Sequence, residues 1–486
     1  MAEHVLFGPS CGWVGDVIPL VVDGKFWLYY LHELRNGPES GTAWGLVRTP
    51  DFVEFVDGGV GLPAGGTDHS DLNAYTGSVV IDGDKAHLFY TGHNPRHIGR
   101  DGVTPQQLVM HAISSDGMKS WEKRPDLTFA APSQYEDGDW RDPFVFRPSE
   151  DEPWHMLVAA RHTTGPARRR GLIAQYVSHD LLSWSPAEPF WDPHRYLMLE
   201  CPEVFRWGDW WYLVFSEFSE SFVTRYRMAR TSDGPWLVPE LDTVDGRAFY
   251  AAKSVARDGR RFFVGWIATK EGDLDDGAWQ WAGTMSVLEA QQEPDGTLSF
   301  SIPREIRESF TRQEPISFVD HASTDGAARA ADSLTLTAPD GYQALVSRHA
   351  LPSQFLARVT IDIAAGATEC GLLIRSSRDG DESYALRLEP KRHRVVFDRW
   401  PRRRTGGMQW QISGDQPYAI ELERPCALEA GRHEIDLLVD DSICIAVVDR
   451  KVVLSARMYD RRAGYLGLCV GEGSVTFSDL RIYRRD

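Results

Sequence analysis

Phe26-Trp27-Leu28-Tyr29-Tyr30, followed after a polar loop and a second strand-like run by Thr49-Pro50-Asp51-Phe52, is the first copy of a pattern that returns through the N-terminal part of the chain. Each copy joins an aromatic-rich alternating strand, a loop, another strand, and Ser/Thr-x-Asp, usually with an aromatic a few residues on. The second copy is His87-Leu88-Phe89-Tyr90 with Ser114-Ser115-Asp116 and Trp121, and the third is His155-Met156-Leu157-Val158 with Ser178-His179-Asp180 and Trp184. Trp211-Tyr212-Leu213-Val214-Phe215 with Thr231-Ser232-Asp233 and Trp236 makes a fourth, and a fifth begins at Arg261-Phe262-Phe263-Val264-Gly265-Trp266. Short strands with period-two alternation, repeated at near-constant spacing and almost without helical periodicity, imply radial sheets. The copies predict an all-β fold whose N-terminal part is a five-bladed β-propeller.

A propeller brings the first strands of its blades to one axis, so residues far apart in sequence meet there. Trp140-Arg141-Asp142-Pro143-Phe144 opens such a strand. The Arg beside the carboxylate keeps it ionised and fixed in direction, and the Pro removes a backbone donor and stiffens the turn. Alone, Arg-Asp-Pro is more often a surface ion pair at a turn. Two further acids change that reading: Asp16 in Gly12-Trp13-Val14-Gly15-Asp16, ahead of the first aromatic strand, and Glu200 in Leu199-Glu200-Cys201-Pro202-Glu203, at the start of the fourth blade. Asp16, Asp142 and Glu200 are expected at equivalent blade positions, sharing one axial pocket.

At 486 residues, with 42% hydrophobic and 11% aromatic content, the chain is long for one core and implies two domains. After Ile302-Pro303-Arg304-Glu305 the texture changes. Residues 1–305 are expected to form the propeller, 306–332 a linker rich in Ala, Ser and Asp, and 333–486 a β-sandwich. The sandwich is read from alternating runs at 355–363, 371–374, 384–388, 435–439, 443–448 and 451–454, with turns at Asp440-Asp441 and Asp449-Arg450. Asp and Glu outnumber Lys and Arg by 70 to 52, and the basic run Arg402-Arg403-Arg404 is short and local, which argues against a nucleic-acid partner. No apolar run is long enough to span a membrane, and the N-terminus carries no export signal, so a cytoplasmic protein is expected. Cysteines at 11, 201, 370, 426, 444 and 469 lack zinc-type spacing and read as reduced, mostly buried thiols. Cys201, among apolar and acidic neighbours, reads as a packing residue rather than a nucleophile.

Taken in order, these motifs resemble glycoside hydrolase family 32, the invertase, inulinase and levanase group. Trp140-Arg141-Asp142-Pro143 is similar to its Arg-Asp-Pro motif, Glu200-Cys201-Pro202 to its Glu-Cys motif, and Tyr75-Thr76-Gly77-Ser78 to its Phe-Ser-Gly-Ser segment. Gly265-Trp266 and Trp281-Ala282-Gly283 resemble late propeller motifs, and Val439-Asp440-Asp441-Ser442 through Ser455-Ala456-Arg457-Met458-Tyr459 resembles the sandwich signature. The resemblance implies a retaining mechanism without metal or cofactor, with Asp16 the nucleophile, Asp142 the transition-state stabiliser and Glu200 the general acid/base. Retention needs two carboxyl groups roughly 5–5.5 Å apart. Glu200 must begin protonated, a state expected from the two neighbouring carboxylates, while Asp142 is held by Arg141.

The N-terminal motif departs from the family, because Asn-Asp-Pro-Asn-Gly is here Gly15-Asp16-Val17-Ile18-Pro19. The Gln expected after the first-blade strand is Leu31, followed by His32-Glu33-Leu34-Arg35. Candidate substrate contacts are Arg141, Trp44, Tyr75, Thr76, His32, Trp266 and Trp281, with Glu33, Arg35 and Phe144 further candidates and His69, Asp71 and Asn73 at the rim. The expected substrate is a small fructoside or disaccharide bound without nucleic acid or membrane; the oligomeric state is left open. The reaction class is hydrolysis of terminal β-fructofuranosyl residues. Alternatives are fructosyl transfer, another furanosidase such as one for arabinofuranose, and a non-catalytic sugar-binding protein, against which the presence of all three acids counts.

Overall fold

The computed structural model describes residues 4–319, 327–330, 332–400 and 421–485. Strands dominate, and the one α-helix among them, Arg304–Glu308, is a little over one turn. No described helix is long and apolar enough to cross a membrane. The chain divides into two compact units: Phe7–Trp266 with Trp281–Thr297, and the described residues of Met1–Leu6, Ile267–Gln280 and Leu298–Asp486.

The N-terminal unit is a series of antiparallel meanders. The first holds Trp13–Val22, Lys25–Glu33, Ala43–Thr49 and Val56–Leu62, and the second Asn73–Asp82, Lys85–Ile98 and Pro105–Ser114 with two short edge strands. The third holds Tyr135–Phe146, Trp154–His162, Gly171–Ser178 and Ser185–Pro186; the fourth Glu200–Trp207, Trp210–Glu217 and Val223–Ala229; the fifth Phe249–Arg257 with the parts of Arg260–Lys270 and Trp279–Gln292 that lie outside Ile267–Gln280. The last meander is tied to the first where Val14 pairs with Gly283. Their leading strands touch in a closed cycle, each to the next and the fifth back to the first.

The aromatic strands of the sequence pattern are the second strands of these meanders, and their side chains fill the space between neighbouring sheets. Tyr29 and Trp44 of the first meander pack with Leu88 and Tyr90 of the second, and Phe89 of the second with Trp140 and Tyr176 of the third. Phe146 and Leu157 of the third meet Val204 and Phe215 of the fourth. Each such side chain removed from water contributes about 1.5–3 kcal/mol, so the sheets are held chiefly by their faces. The recurrent Ser/Thr-x-Asp closes the turn after the third strand of the first three meanders. Ser114 Oγ accepts the Met118 N–H at 2.9 Å, and Asp116 Oδ1 accepts those of Lys119 and Ser120 at 3.0 Å each. Thr49 with Asp51, and Ser178 with Asp180, repeat the arrangement. In all three turns an apolar residue with positive φ, Phe52, Met118 or Leu181, is pushed into the core.

The C-terminal unit is organised by Tyr465–Arg484. Its first half pairs with Glu369–Ser376, its second half with Gln354–Ile363, and its other edge with Ser333–Ser347. Glu472, at φ +48°, lies where the partner changes, so one strand serves two strand series. One series continues through Ser383–Glu389 and Arg394–Trp400, the other through Gly431–Asp440, Ile443–Val448 and Val452–Arg457. Arg457, buried in the Ser455–Tyr459 segment, donates to the carbonyls of Ile267 and Ala268 at 2.8 and 2.9 Å. Of the stretch 306–332, residues 320–326 and 331 lie outside the described residues, as do Arg402-Arg403-Arg404. Arg312–Glu314, Phe318–Val319 and Ala328–Ala330 form short pairings within this unit.

Candidate active site

Four of the five leading strands show a register break at the same level: between Val14 and Val17, Tyr75 and Gly77, Arg141 and Phe144, and Glu200 and Glu203. On the fifth, Ala251 has φ +53°, as Asp142 has +58° and Cys201 +51°. A β-bulge places two residues opposite one, so consecutive side chains turn to the same side. The bulges therefore stack two tiers around the strand cycle. Gly15, Tyr75, Arg141, Glu200 and Tyr250 form the outer tier, and Asp16, Thr76, Asp142, Cys201 and Ala251 the inner one. Pro143 and Pro202 follow the bulged residues, where the ladder is already interrupted and a missing N–H costs nothing.

This geometry corrects two expectations. Asp16 and Asp142 are equivalent, but Glu200 sits one residue earlier and corresponds to Arg141, while Cys201 corresponds to Asp142. Asp16 and Asp142 also lie inside their strands rather than ahead of or opening them, because the bulge breaks the alternation by which a strand is read, whereas Glu200 opens its strand as expected. All three nonetheless line one cavity of ≈ 380 Å³, together with Leu31, Glu33 and Trp281 among others.

Their supports differ. Asp16 accepts hydrogen bonds from the Thr76 hydroxyl and from Trp266 Nε1 at 2.9 Å, and the Cys201 thiol lies 3.6 Å away. Asp142 accepts the Cys201 N–H at 2.9 Å, while its own N–H donates to Thr91 Oγ1 at 2.8 Å. Glu200 lies between Arg141 Nη2 at 3.0 Å and the Tyr250 hydroxyl at 2.7 Å. Arg141 thus does not clamp Asp142 as expected: its guanidinium reaches Asp139 at 2.6 Å and Glu200, and Gln107 Oε1 accepts from it at 3.3 Å. With positive φ at Asp142, the side chains of the Arg-Asp pair reach different partners. Asp16 and Asp142 are 9% and 3% exposed, whereas the Glu200 side chain keeps 22%, enough for proton exchange with solvent.

Burial raises all three carboxyl pKa values above the ordinary range. For Asp16 the three donors oppose that rise and favour the charged form. For Glu200 burial comes first, Arg141 opposes it, and Asp142 adds to it. Desolvation, more than the neighbouring carboxylates, therefore favours the acid form of Glu200. Removing the opposing cation gives a prediction: in Arg141→Met the alkaline limb of the kcat/KM profile moves to higher pH, because protonated Glu200 persists further. An unmoved limb in the pH-rate profile counts against Arg141 acting on this proton. Burial also lifts the Cys201 thiol well above its usual value, with Asp16 and Asp142 next, so it is inert as a nucleophile.

The raised acids weaken the fold at neutral pH. The folded state holds protons on Asp142 more tightly than the unfolded chain does, so its contribution is full below about pH 4 and is lost as pH rises through the raised folded value. Asp142→Asn, whose side chain tolerates positive φ, is expected to raise Tm at pH 7, by no more than about 2–4 °C, the shift that about 1 kcal/mol gives in a domain of 150–250 residues. It should also reduce activity by about 10²–10³-fold. Calorimetry at pH 4 and pH 7 checks the sign: the gain should shrink at the lower pH.

Residues 7–293 match the family described as "Glycosyl hydrolases family 32 N-terminal domain". The chain belongs to glycosyl hydrolase family 32. Over 317 residues it is 27% identical to sucrose-6-phosphate hydrolase of Escherichia coli, a match spanning 61% of this chain and 63% of that protein. Two solved structures share the fold. Exo-inulinase from Aspergillus awamori has a TM-score of 0.73 at 18% identity, covering 100% of this chain and 99% of that one. A variant of a family 32 beta-fructofuranosidase from Bombyx mori, in complex with sucrose, has a TM-score of 0.69 at 18% identity, covering 100% and 94%.

Within this family 32 chain, Arg141, Tyr75, Thr76 and Trp281 line the cavity as expected. Trp266 is buried but touches Asp16. Trp44 is not a substrate contact: it is fully buried, with Nε1 donating to Ala74 O at 3.0 Å, and belongs to the core. His32 turns away from the cavity, its Nε2 bonded to Cys11 O at 2.8 Å. Phe144 is also absent from the wall and packs between meanders. At the expected rim, Asp71 is buried between Tyr90 and Lys123, and Asn73 bonds Pro38 O. Sequence reasoning missed Gln107, Phe218, Phe222 and Tyr250. Tyr250, next to Ala251 on the fifth leading strand, bonds Glu200 and stacks on Phe222 at 4.0 Å, and none of the four stands in a sequence motif. Gly15 is explained by packing. A Cβ there would lie 2.5 Å from the Trp281 ring and 3.0 Å from Leu31, so its absence lets Trp281 approach Asp16.

Proposed function

We propose that the protein is a retaining glycosidase that releases terminal β-fructofuranosyl residues from small fructosides, built on a five-bladed β-propeller with a C-terminal β-sandwich. The closed cycle of leading strands supports the propeller, and the partner change along Tyr465–Arg484 supports the sandwich. One observation carries the chemistry: on a single cavity wall, Asp16 is held by three donors, while partly exposed Glu200 sits in a setting that raises its pKa.

In the first step Asp16 attacks the anomeric carbon as Glu200 protonates the departing oxygen, leaving a glycosyl ester on Asp16. In the second, Glu200 takes a proton from water, which attacks the same carbon and frees Asp16. Asp142 stabilises the positive charge that develops on the ring in both steps. A second cavity of ≈ 310 Å³, sharing Glu33 and Tyr75 with the first, provides room for the leaving group. An alcohol admitted there in place of water would give fructosyl transfer.

Leu31 stands where the resemblance calls for a glutamine, and with Trp281 it makes that part of the wall apolar. That favours one second reading, a furanosidase for another five-membered ring such as arabinofuranose. Incubation with a panel of fructosides and arabinofuranosides, followed by anomeric NMR, tests both. Release of fructose in its original configuration supports the first reading. Release of arabinose alone selects the second, and inversion excludes the mechanism.

A further inference from the structure

Outside the cavity, one cluster has the composition of a metal site. His162 ends the strand Trp154–His162, and Asp192 and His194 lie in the connector that leads to Glu200. Among the described residues this is the one group of three His, Cys or acidic side chains whose donor atoms lie within 4.8 Å of one another. His162 Nε2 is 2.7 Å from Asp192 Oδ2, and His194 Nδ1 is 3.3 Å from Asp192 Oδ1. Asp192 Oδ1 is buried and makes no hydrogen bond, leaving the 3.3 Å ion-pair contact with His194 as its support.

Two imidazoles and one carboxylate suit a borderline divalent ion, and zinc above all. The 3.3 Å between Asp192 Oδ1 and His194 Nδ1 matches the edge of a tetrahedron with metal–ligand bonds of about 2.0 Å. The closer pair, His162 with Asp192, needs only to exchange its hydrogen bond for two bonds to the ion. The ligands are preset from outside. His162 N–H donates to Arg170 O at 2.9 Å, and its ring lies 5.8 Å from Tyr135. His194 takes positive φ, +49°, which turns its ring back over His162 at an interplanar angle of 22°.

We propose that His162, Asp192 and His194 bind a zinc-class divalent ion, with water as fourth ligand. The ion would staple the connector before Glu200 to the third meander. Its role is structural, because none of the three residues lines the cavity. The spacing, with His162 and Asp192 thirty positions apart, hides the site from sequence motifs.

The test uses the full chain stripped with chelator and titrated with zinc, and separately with cobalt as a spectroscopic probe. Expected are one bound equivalent, the visible absorption of four-coordinate cobalt, and a rise in Tm. His194 is 72% exposed, so His194→Ala should fold normally. That variant should lose affinity on the order of a hundredfold, the share of one ligand in a structural zinc site, while its metal-free activity is unchanged. Asp192→Asn should behave likewise. No binding by the unmodified protein, or binding undiminished in His194→Ala, overturns the proposal.

Discussion

Asp16→Ala abolishes turnover, by on the order of 10⁴–10⁶, the size seen when a covalent nucleophile is removed, and leaves ligand binding in place. The carboxylate is 9% exposed and held by Thr76, Trp266 and Cys201, so it is oriented before substrate arrives. Truncation removes the attacking oxygens and leaves those three donors facing a small void, with the rest of the cavity wall intact. Isothermal titration with a fructoside should therefore give a dissociation constant within about tenfold of the parent's KM, a difference of no more than about 1.4 kcal/mol. Turnover retained within tenfold would place the nucleophile elsewhere.

Glu200→Ala separates substrates by leaving group. On a natural fructoside the loss should be about 10²–10⁴-fold, the usual contribution of a positioned proton donor. On an activated aryl fructoside the first step needs no proton and should stay near the parent rate. The glycosyl ester on Asp16 would then accumulate, because no base activates water, and azide should rescue its breakdown. The variant also leaves Arg141 and the Tyr250 hydroxyl without their shared partner, which costs stability but does not discriminate between substrates. An equal loss on both substrates would remove the acid role. The same comparison on Asp142→Ala should show loss with both, since charge stabilisation is required whichever group departs.

The fold was legible where the ladder is regular. Aromatic second strands such as Trp211–Phe215 keep strict alternation and pack on neighbouring sheets, and the Ser/Thr-x-Asp turns recur because one hydroxyl and one carboxylate satisfy the same backbone donors each time. The fourth copy departs, since Thr231-Ser232-Asp233 runs into Gly234-Pro235 and the Thr231 hydroxyl bonds Gly234 O instead. Leading strands were harder to read, because a bulge shifts their period by one residue midway. That shift is why Asp16 was expected outside its strand and Glu200 in register with Asp142. Tyr465–Arg484 also escaped notice: Gly471-Glu472-Gly473-Ser474 looks like a turn, yet the chain passes through it and changes partners.

The repeat and the motifs around them singled out the three acids that line the cavity, but assigning their partners required coordinates. Arg141 stands next to Asp142 in the chain and bonds Glu200 fifty-nine positions away, because adjacent residues at a bulge are free to reach for different neighbours. Gln107 and Phe222 stand in no motif and enter the cavity from a third strand and a loop. Trp44 and Trp281 are alike in composition and opposite in fate, since Gly15 makes room for one at the cavity and Tyr29 and Tyr90 enclose the other in the core.

Pro143 and Pro202 act as detents. If either leading strand slid by one residue along its neighbour, a proline with no N–H would face a carbonyl that now has a donor, and the slip would forfeit a ladder bond. The height of Asp142 and Glu200 along the axis is thus indexed by main-chain bonding and not by what their side chains touch. Exchanges at Leu31, Glu33 or Trp281 can re-cut the cavity for another sugar while the acids keep their level, so selectivity can drift on a fixed chemical frame.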